Sequence, residues 1–290
     1  MIGYAKTNSE KLLILGCGDL GRRLAGQLAP LGYAITGLRR HPPESSDNLQ
    51  YVAADTADRR ALESIVAEGF DVILVTMTPS ERGDEGYRKA YVQTCENLTA
   101  ALKTTGQTPR LLLYVSSSGV YGQSDGEWVD EQSPTEPNRD SGWRLLEAEQ
   151  VIAQSGFDHC IVRFSGIYGP GRNYLLERVR QGRATLSARY TNRIHADDAA
   201  GVLAHLIEHQ RMGDPIDSLY LASDNEPAPM AEVVNWLAMQ LQVDEARFAP
   251  DEGQLGKRCD NRRLRATGYE FRYPDYRAGY KALMADHKTT

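Results

Sequence analysis

An α/β fold built on a doubly wound parallel sheet follows from three features of the 290-residue chain. Short apolar runs alternate with longer stretches of helical spacing, the pattern of strand–crossover–strand units. The runs are continuously apolar, as suits strands buried on both faces. A Gly16-Cys17-Gly18-Asp19-Leu20-Gly21 segment joins the first run to the first helical stretch.

The elements follow in order. Runs at 11–15, 33–38, 51–54, 71–76, 110–116 and 159–164 are rich in Val, Ile and Leu and read as strands. Stretches at 20–31, 58–68, 87–104 and 142–154 carry apolar residues at helical spacing between them. Residues 1–165 therefore form the expected dinucleotide-binding core. Beyond Phe164 the pattern changes: a Gly/Pro-rich loop at 165–174, then helices expected at 175–182, 197–208 and 229–241. A strand near 218–222 is expected to return to the core sheet. Residues 166–290 otherwise form a smaller substrate lobe, whose tail from 251 onward reads as basic, aromatic and irregular.

Composition removes several classes. With 41% hydrophobic and 25% charged residues, the chain is neither low-complexity nor disordered. No apolar stretch approaches the length of a membrane span. The first eleven residues are polar and hold no signal core, so a cytoplasmic location is expected. Thirty-three basic against 39 acidic side chains give a net charge of −6, which argues against a nucleic-acid binder. A local basic pocket for a small anion stays open. Cys17, Cys95, Cys160 and Cys259 are far apart and form no CxxC pair, so neither a metal site nor a disulfide framework is expected.

The glycine segment carries the first chemistry. Gly16 permits the tight turn, Gly18 lets the backbone approach a pyrophosphate, and Gly21 lets helix and strand pack closely. The N–H groups of Asp19 and Leu20, at the start of the helix, face the same phosphates. Strand before and helix after make this a Rossmann-type dinucleotide site. The second strand ends in Leu38-Arg39-Arg40, where an NAD site places an acidic residue for the ribose 2′-hydroxyl. Guanidinium forks suit a 2′-phosphate instead, so NADP is expected over NAD, unless both arginines merely begin a solvated loop. Asp55 either meets the adenine edge or caps the following helix. Thr76, ending the fourth strand, completes the cofactor-facing set.

Further along, Ser116-Ser117-Ser118-Gly119-Val120-Tyr121-Gly122 resembles the SSxxVYG segment of extended short-chain dehydrogenases/reductases, the group of nucleotide-sugar epimerases and dehydratases. Arg163 through Gly171 is similar to that group's R-x-x-x-x-YGPG loop, and His195-Ala196-Asp197-Asp198 to its H-x-x-D segment. Tyr220 through Asp224, with Pro227, resembles a later strand and turn. Asn261-Arg262-Arg263-Leu264 resembles the C-terminal N-x-x-L segment. The resemblance covers nearly the whole chain and implies about seven parallel strands with a small substrate lobe.

It also implies a catalytic set of Ser, Tyr and Lys, the last two in YxxxK. Ser117 takes the Ser position. Continuing from the DExSPxxP-like Asp130–Pro137 stretch puts Ser141 and Leu145 at the Tyr and Lys positions, and Glu149 on the acidic residue that follows. No tyrosine lies between Tyr121 and Tyr168. Tyr121 and Tyr168 are the remaining candidates for proton transfer, with packing as the other reading of both. Arg144 either binds a substrate anion and replaces the lysine charge or is a solvated helix residue. His195 fits a structural role better than that of a base, since Asp197 and Asp198 look like a helix start.

Ser118, Arg172, Arg193 and Arg262 are candidate substrate contacts, and Arg189 belongs with these arginines, which suggest an anionic ligand. The implied activity is redox chemistry on a hydroxyl or keto carbon of an anionic, nucleotide-sugar-like substrate. A non-catalytic NADP-binding sensor or regulator is the alternative, and a scaffold that binds no nucleotide a third. The resemblance also implies a homodimer through the helices near 87–104 and 142–154; Tyr91, Leu98 and Leu102 either support that contact or only cover the sheet.

Overall fold

The computed structural model describes residues 9–244, 249–251 and 253–286. Most of the polar N-terminal stretch, residues 1–8, lies outside them, as do small parts of the tail.

Seven strands form one sheet: β1 Lys11–Leu15, β2 Ala34–Arg39, β3 Gln50–Ala53, β4 Val72–Val75, β5 Leu111–Ser117, β6 His159–Phe164 and β7 Leu219–Ala222. Their order is β7-β6-β5-β4-β1-β2-β3. β1 pairs in parallel with both β2 and β4, Leu12 lying opposite Ile35 on one side and Val72 on the other. The β2–β3 and β4–β5 pairs are parallel too. On the far side, Ile161 N donates to Ser218 O and Ser165 N to Ala222 O, so the ladder advances in the same sense. This is the Rossmann-type parallel sheet that the alternating pattern predicts.

Burial explains the runs. Leu12 through Leu15 and Val72 through Val75 are almost wholly excluded from solvent. Strands covered on both faces need apolar residues at every position. Chain order reverses at β1, whose neighbours are β2 and β4, and a doubly wound sheet opens its ligand crevice there, at the carboxyl ends of the strands.

Helix α1 (Asp19–Leu28) buries Leu20, Leu24, Ala25 and Leu28. Helix α2 (Arg59–Val66) is capped by Asp58, whose carboxylate accepts from Arg60 N and Ala61 N. A longer helix runs through Asp84–Tyr87, a π-helical segment Arg88–Gln93 and α3 (Thr94–Thr105). Leu98 and Leu102 on α3 are buried within the chain itself.

Two compact units interleave along the sequence. One comprises Met1–Ser116, Arg144–Ile161 and Leu203–Ser218; the other comprises Ser117–Trp143, Val162–Val202 and Leu219–Thr290. The chain thus re-enters each unit more than once, where the sequence suggested a main change of lobe near residue 165. The second unit has its own core, in which Tyr168, Leu176, Val179, Val233, Leu237 and Tyr280 pack together. Short strands within it escaped the sequence pattern, among them Asp125–Val129, Gly166–Tyr168 and Arg193–His195. The tail is regular as well: strand Gly256–Cys259 pairs in parallel with Asp125–Val129, and helices Arg262–Ala266 and Tyr276–Asp286 follow.

Candidate active site

In the first unit, β1 ends in the glycine turn. Gly16 N and Cys17 N both donate to Leu38 O, at 3.1 and 3.2 Å, which ties the turn to β2. Gly16 adopts φ +76, and a Cβ there would lie 2.8 Å from Thr76 O and 2.8 Å from Met77 Sδ. Only glycine fits both the angle and the space. At Gly21 a Cβ would lie 2.9 Å from Cys17 Sγ and 3.1 Å from Ile14 Cγ2, so helix–strand contact requires a missing side chain. Gly18 gives α1 no side-chain cap. The first N–H groups of a helix have no intrahelical acceptor, which is why such a terminus suits an anion.

A cavity of about 570 Å³ opens beside this turn. Gly16, Gly18, Arg39, Arg40 and Asp55 line it together. Sequence reasoning therefore placed these five residues around one space. Asp55 also accepts from Ala57 N at 2.9 Å, forming an Asx turn, while Asp58 does the helix capping. Leu20 is a core residue and Asp19 pairs with Arg23 at 3.1 Å, so neither side chain lines the cavity. Thr76 is buried and stands behind Gly16, while Met77 and Thr78 line the cavity in its stead.

Sequence reasoning missed Thr56, Ser80, Glu81, Lys89 and Gln93 in the lining. Lys89 and Gln93 lie on the π-helical segment, a wider turn often found at functional sites. No periodicity signal distinguishes such a segment from an ordinary helix.

Arg144 is not a free cation. It grips Asp84 through two bonds, at 2.8 and 2.7 Å, and Glu147 at 2.6 Å. These carboxylates raise its pKa further, Asp84 contributing most. It staples two helices through three of its five N–H donors. Ser116 Oγ donates to Glu149 at 2.5 Å, which fixes the acidic side chain behind β5. The helix that follows, Asp140–Ala153, carries neither tyrosine nor lysine.

In the second unit, Ser117 caps a short turn, its Oγ accepting from Gly119 N at 3.0 Å. Its hydroxyl proton stays available for donation, and the side chain is only half-buried. Ser118 bonds to the thiol of Cys259. Tyr121 is 2% exposed and its hydroxyl accepts from Arg163 at 2.9 Å. Burial pushes its pKa up to about 12 despite the guanidinium beside it. Tyr168 is also buried, edge-on to His195 and stacked obliquely on Tyr280. Burial raises its pKa well above the phenol range. Both hydroxyls are thus enclosed, that of Tyr121 bonded to Arg163 and that of Tyr168 without a hydrogen-bond partner among the described residues.

His195 is 2% exposed, packed against Tyr273 at 4.0 Å, with Nδ1 accepting from Asp197 N. Asp198 sits in the first turn of the helix Ala196–Met212, as the helix-start reading requires. Its carboxylate does more than that reading foresaw: it accepts from Tyr269 Oη, Arg272 N and Tyr273 N, at 3.0, 2.7 and 2.9 Å.

The arginines expected to meet substrate divide. Arg193 is buried, its guanidinium over the Tyr276 ring, so it belongs to the core. Arg262 is exposed but bound to Asp260 at 2.6 Å. Arg172 lies exposed in the loop where its N–H donates to Gly169 O. Near Arg193 lies Asp224, 1% exposed, with Oδ2 lacking a hydrogen-bond partner. Burial lifts its pKa from 3.8 to about 8, although Arg193 pulls the other way. The folded state then holds a proton that the unfolded chain releases, so stability falls as pH rises from about 4 to about 8. Asp224→Asn removes that slope. Thermal unfolding at pH 5 and pH 9 should show a smaller loss of Tm in the variant than in the native chain.

Among the described residues no group of three His, Cys, Asp or Glu side chains is placed to hold a metal ion. The four cysteines are free and buried. No helix among them is long and apolar enough to cross a membrane.

The glycine turn, uncapped helix and crossover topology are what a nicotinamide dinucleotide requires, and comparison with known proteins agrees. The model of the NAD dependent epimerase/dehydratase family matches residues 12–219. A solved epimerase/dehydratase structure from Methylobacillus flagellatus superposes with a TM-score of 0.84 at 36% identity, covering 97% of this chain and 99% of that one. The 3-diazoavenalumate denitrifying reductase of a Streptomyces species is 26% identical over 263 residues, 83% of this chain and 84% of that protein. Protein YeeZ of Escherichia coli K12 is 27% identical over 283 residues, 92% of this chain and 97% of that protein. With a family match over 12–219 and a 36% identical structure covering 97% of its length, the chain belongs to the NAD-dependent epimerase/dehydratase family of the extended short-chain dehydrogenase/reductase superfamily.

Proposed function

We propose that the chain is an NADP-dependent oxidoreductase acting on a hydroxyl or keto carbon of an anionic, nucleotide-sugar-like or carboxylate substrate through a non-standard proton-transfer site. The observation that carries this reading is the cavity at the glycine turn. Arg39 and Arg40 line it with Gly16 and Gly18, both are exposed, and neither has a carboxylate partner among the described residues. A planar fork without a carboxylate is free to take a phosphate in two parallel bonds.

A nicotinamide nucleotide in that cavity would supply the hydride chemistry. The Gly16–Gly21 turn would hold its pyrophosphate, and Arg39, with Arg40 beside it, its 2′-phosphate. Ser117, in the second unit, would donate its hydroxyl proton to the reacting oxygen. The relative from Streptomyces supports an anionic substrate, since the 3-diazoavenalumate in its name is a carboxylate whose diazo group is the part reduced. The lack of tyrosine and lysine on the helix Asp140–Ala153 supports the non-standard site, and it also favours the second reading, a non-catalytic NADP-binding sensor.

Calorimetric titration of nucleotide-free protein with NADPH and NADH, followed by NADPH oxidation against a panel of keto acids and UDP-sugars, separates these readings. NADPH preference with turnover is expected. Tight NADPH binding without turnover would favour the sensor, and binding of neither nucleotide by folded protein would overturn both. Ser117→Ala should lower turnover roughly 100-fold, the usual cost of one donor to a developing oxyanion, with NADPH affinity unchanged. Loss of affinity in its place would make Ser117 a structural residue.

A further inference from the structure

The turn Ser117–Tyr121 needs a group that exchanges a proton with the substrate oxygen, and the obvious candidates are spent. Tyr121 is held by Arg163, Arg144 is clamped between two carboxylates, and His195 is enclosed by Tyr168 and Tyr273. One amine remains against the turn. Strand Gly256–Cys259 runs beside it, and alternate residues of a strand share a face. The ladder shifts register between Gly256 and Arg258, and the contacts put Lys257 and Cys259 on the same side: Lys257 Nζ donates to Tyr121 O at 2.7 Å, and Cys259 bonds to Ser118. Arg258 points to the other side, over the rings of Trp128 and Tyr190.

We propose that Lys257 is the acid–base residue of this site, exchanging a proton with the substrate oxygen that Ser117 also contacts. The proposal rests on the oxidoreductase reading above. When a hydroxyl is oxidised, the C–H bond breaks and its electron pair leaves as hydride to the oxidised nicotinamide. The O–H proton passes to neutral Nζ, and the C=O double bond forms. When a carbonyl is reduced, hydride arrives from the reduced nicotinamide and the ammonium returns the proton to oxygen.

Three observations support the assignment. Lys257 is half-buried and within reach of solvent, and it has no carboxylate partner among the described residues. Glu131, the nearby acid, is instead engaged by Leu221 N at 2.7 Å and by Arg263 at 3.5 Å. Among the described residues only one of the three N–H donors of Lys257 is used, on Tyr121 O. Burial lowers its pKa, Cys259 pulls the other way, and Arg189 adds a smaller push in the same direction as burial. An amine so placed reaches its neutral form nearer neutral pH than an exposed lysine does.

Acetic anhydride labelling of the full chain across pH 6–11, read lysine by lysine by mass spectrometry, measures that property without any substrate. The midpoint for Lys257 is expected below those of exposed Lys103 and Lys281. Lys257→Met and Lys257→Arg then separate chemistry from bracing. Arginine keeps the charge and the bond to Tyr121 O but cannot give up its proton. Both variants should bind NADPH as the native chain does, and both should lose roughly 100-fold or more in kcat, with the pH dependence of kcat flattened. A Lys257 midpoint at or above those of Lys103 and Lys281 overturns the proposal. So does turnover by Lys257→Arg within twofold of native, which would make Lys257 a structural brace. If the native chain binds NADPH and turns over nothing, the functional reading falls by itself, and the labelling midpoint still decides whether Lys257 is poised as a base.

Discussion

Arg39→Ala is expected to weaken NADPH binding about 10- to 100-fold while leaving NADH within about twofold. Hydrogen bonds to a charged partner are worth about 1.5–3 kcal/mol, and each 1.4 kcal/mol is tenfold in affinity. Only the 2′-phosphate distinguishes the two nucleotides, so a bond to it is read as a difference between them. Arg39 is the last residue of β2, on a backbone fixed by pairing with β3, where Arg39 lies opposite Ala53. Its neighbour Arg40 is past the strand end and serves as the internal control. A smaller loss is expected from Arg40→Ala, because a less constrained side chain forfeits more entropy on binding. Calorimetry of both variants with both nucleotides checks this. Equal losses for NADPH and NADH would show that Arg39 acts as a general positive charge near the diphosphate, and would return the cofactor assignment to NAD.

The same arginine shows what the sequence reveals and what it leaves hidden. β1 and β6 begin and end where the apolar runs do, because a strand buried on both faces must be apolar throughout, and the charged or polar flanks mark its ends. The glycine turn is legible for an equally local reason: φ +76 and the closeness of Thr76 O leave Gly16 no substitute. Arg39 was legible because the strand end fixes its position. Lys257 was not. Its strand, Gly256–Cys259, is four residues long, contains two basic residues, and lies in a tail that reads as irregular. It is a strand only because Asp125–Val129, more than a hundred positions away, supplies its partner. Arg193 misled for the opposite reason. A charge suggests a surface, but this guanidinium is covered by the Tyr276 ring, a contact that only the tertiary fold brings about. Local constraint is written in local sequence; partners distant along the chain are not.

Asp198 illustrates the last point and carries the largest expected effect on stability. As a first-turn aspartate it is ordinary, since a negative charge there suits the positive end of a helix. Its 1% exposure and its partners make it more: three donors from a segment about 70 residues downstream converge on one carboxylate. Burial raises its pKa while those three donors lower it, desolvation being the larger cause. Asp198→Ala leaves Tyr269 Oη, Arg272 N and Tyr273 N without this acceptor. Unsatisfied buried donors cost about 1–3 kcal/mol each, and partial relaxation of the segment limits the sum to roughly 3–5 kcal/mol. Asp198→Asn should cost less, because its remaining carbonyl oxygen can still serve Tyr269 and Arg272 through the Oδ1 position, while its amide meets Tyr273 N, which is also a donor. Urea unfolding should therefore rank native above Asn above Ala. An alanine variant within 1 kcal/mol of native would mean that the 269–273 segment is held by its ring contacts alone, Tyr269 on Phe271 and Tyr273 on His195, with the carboxylate merely capping the helix.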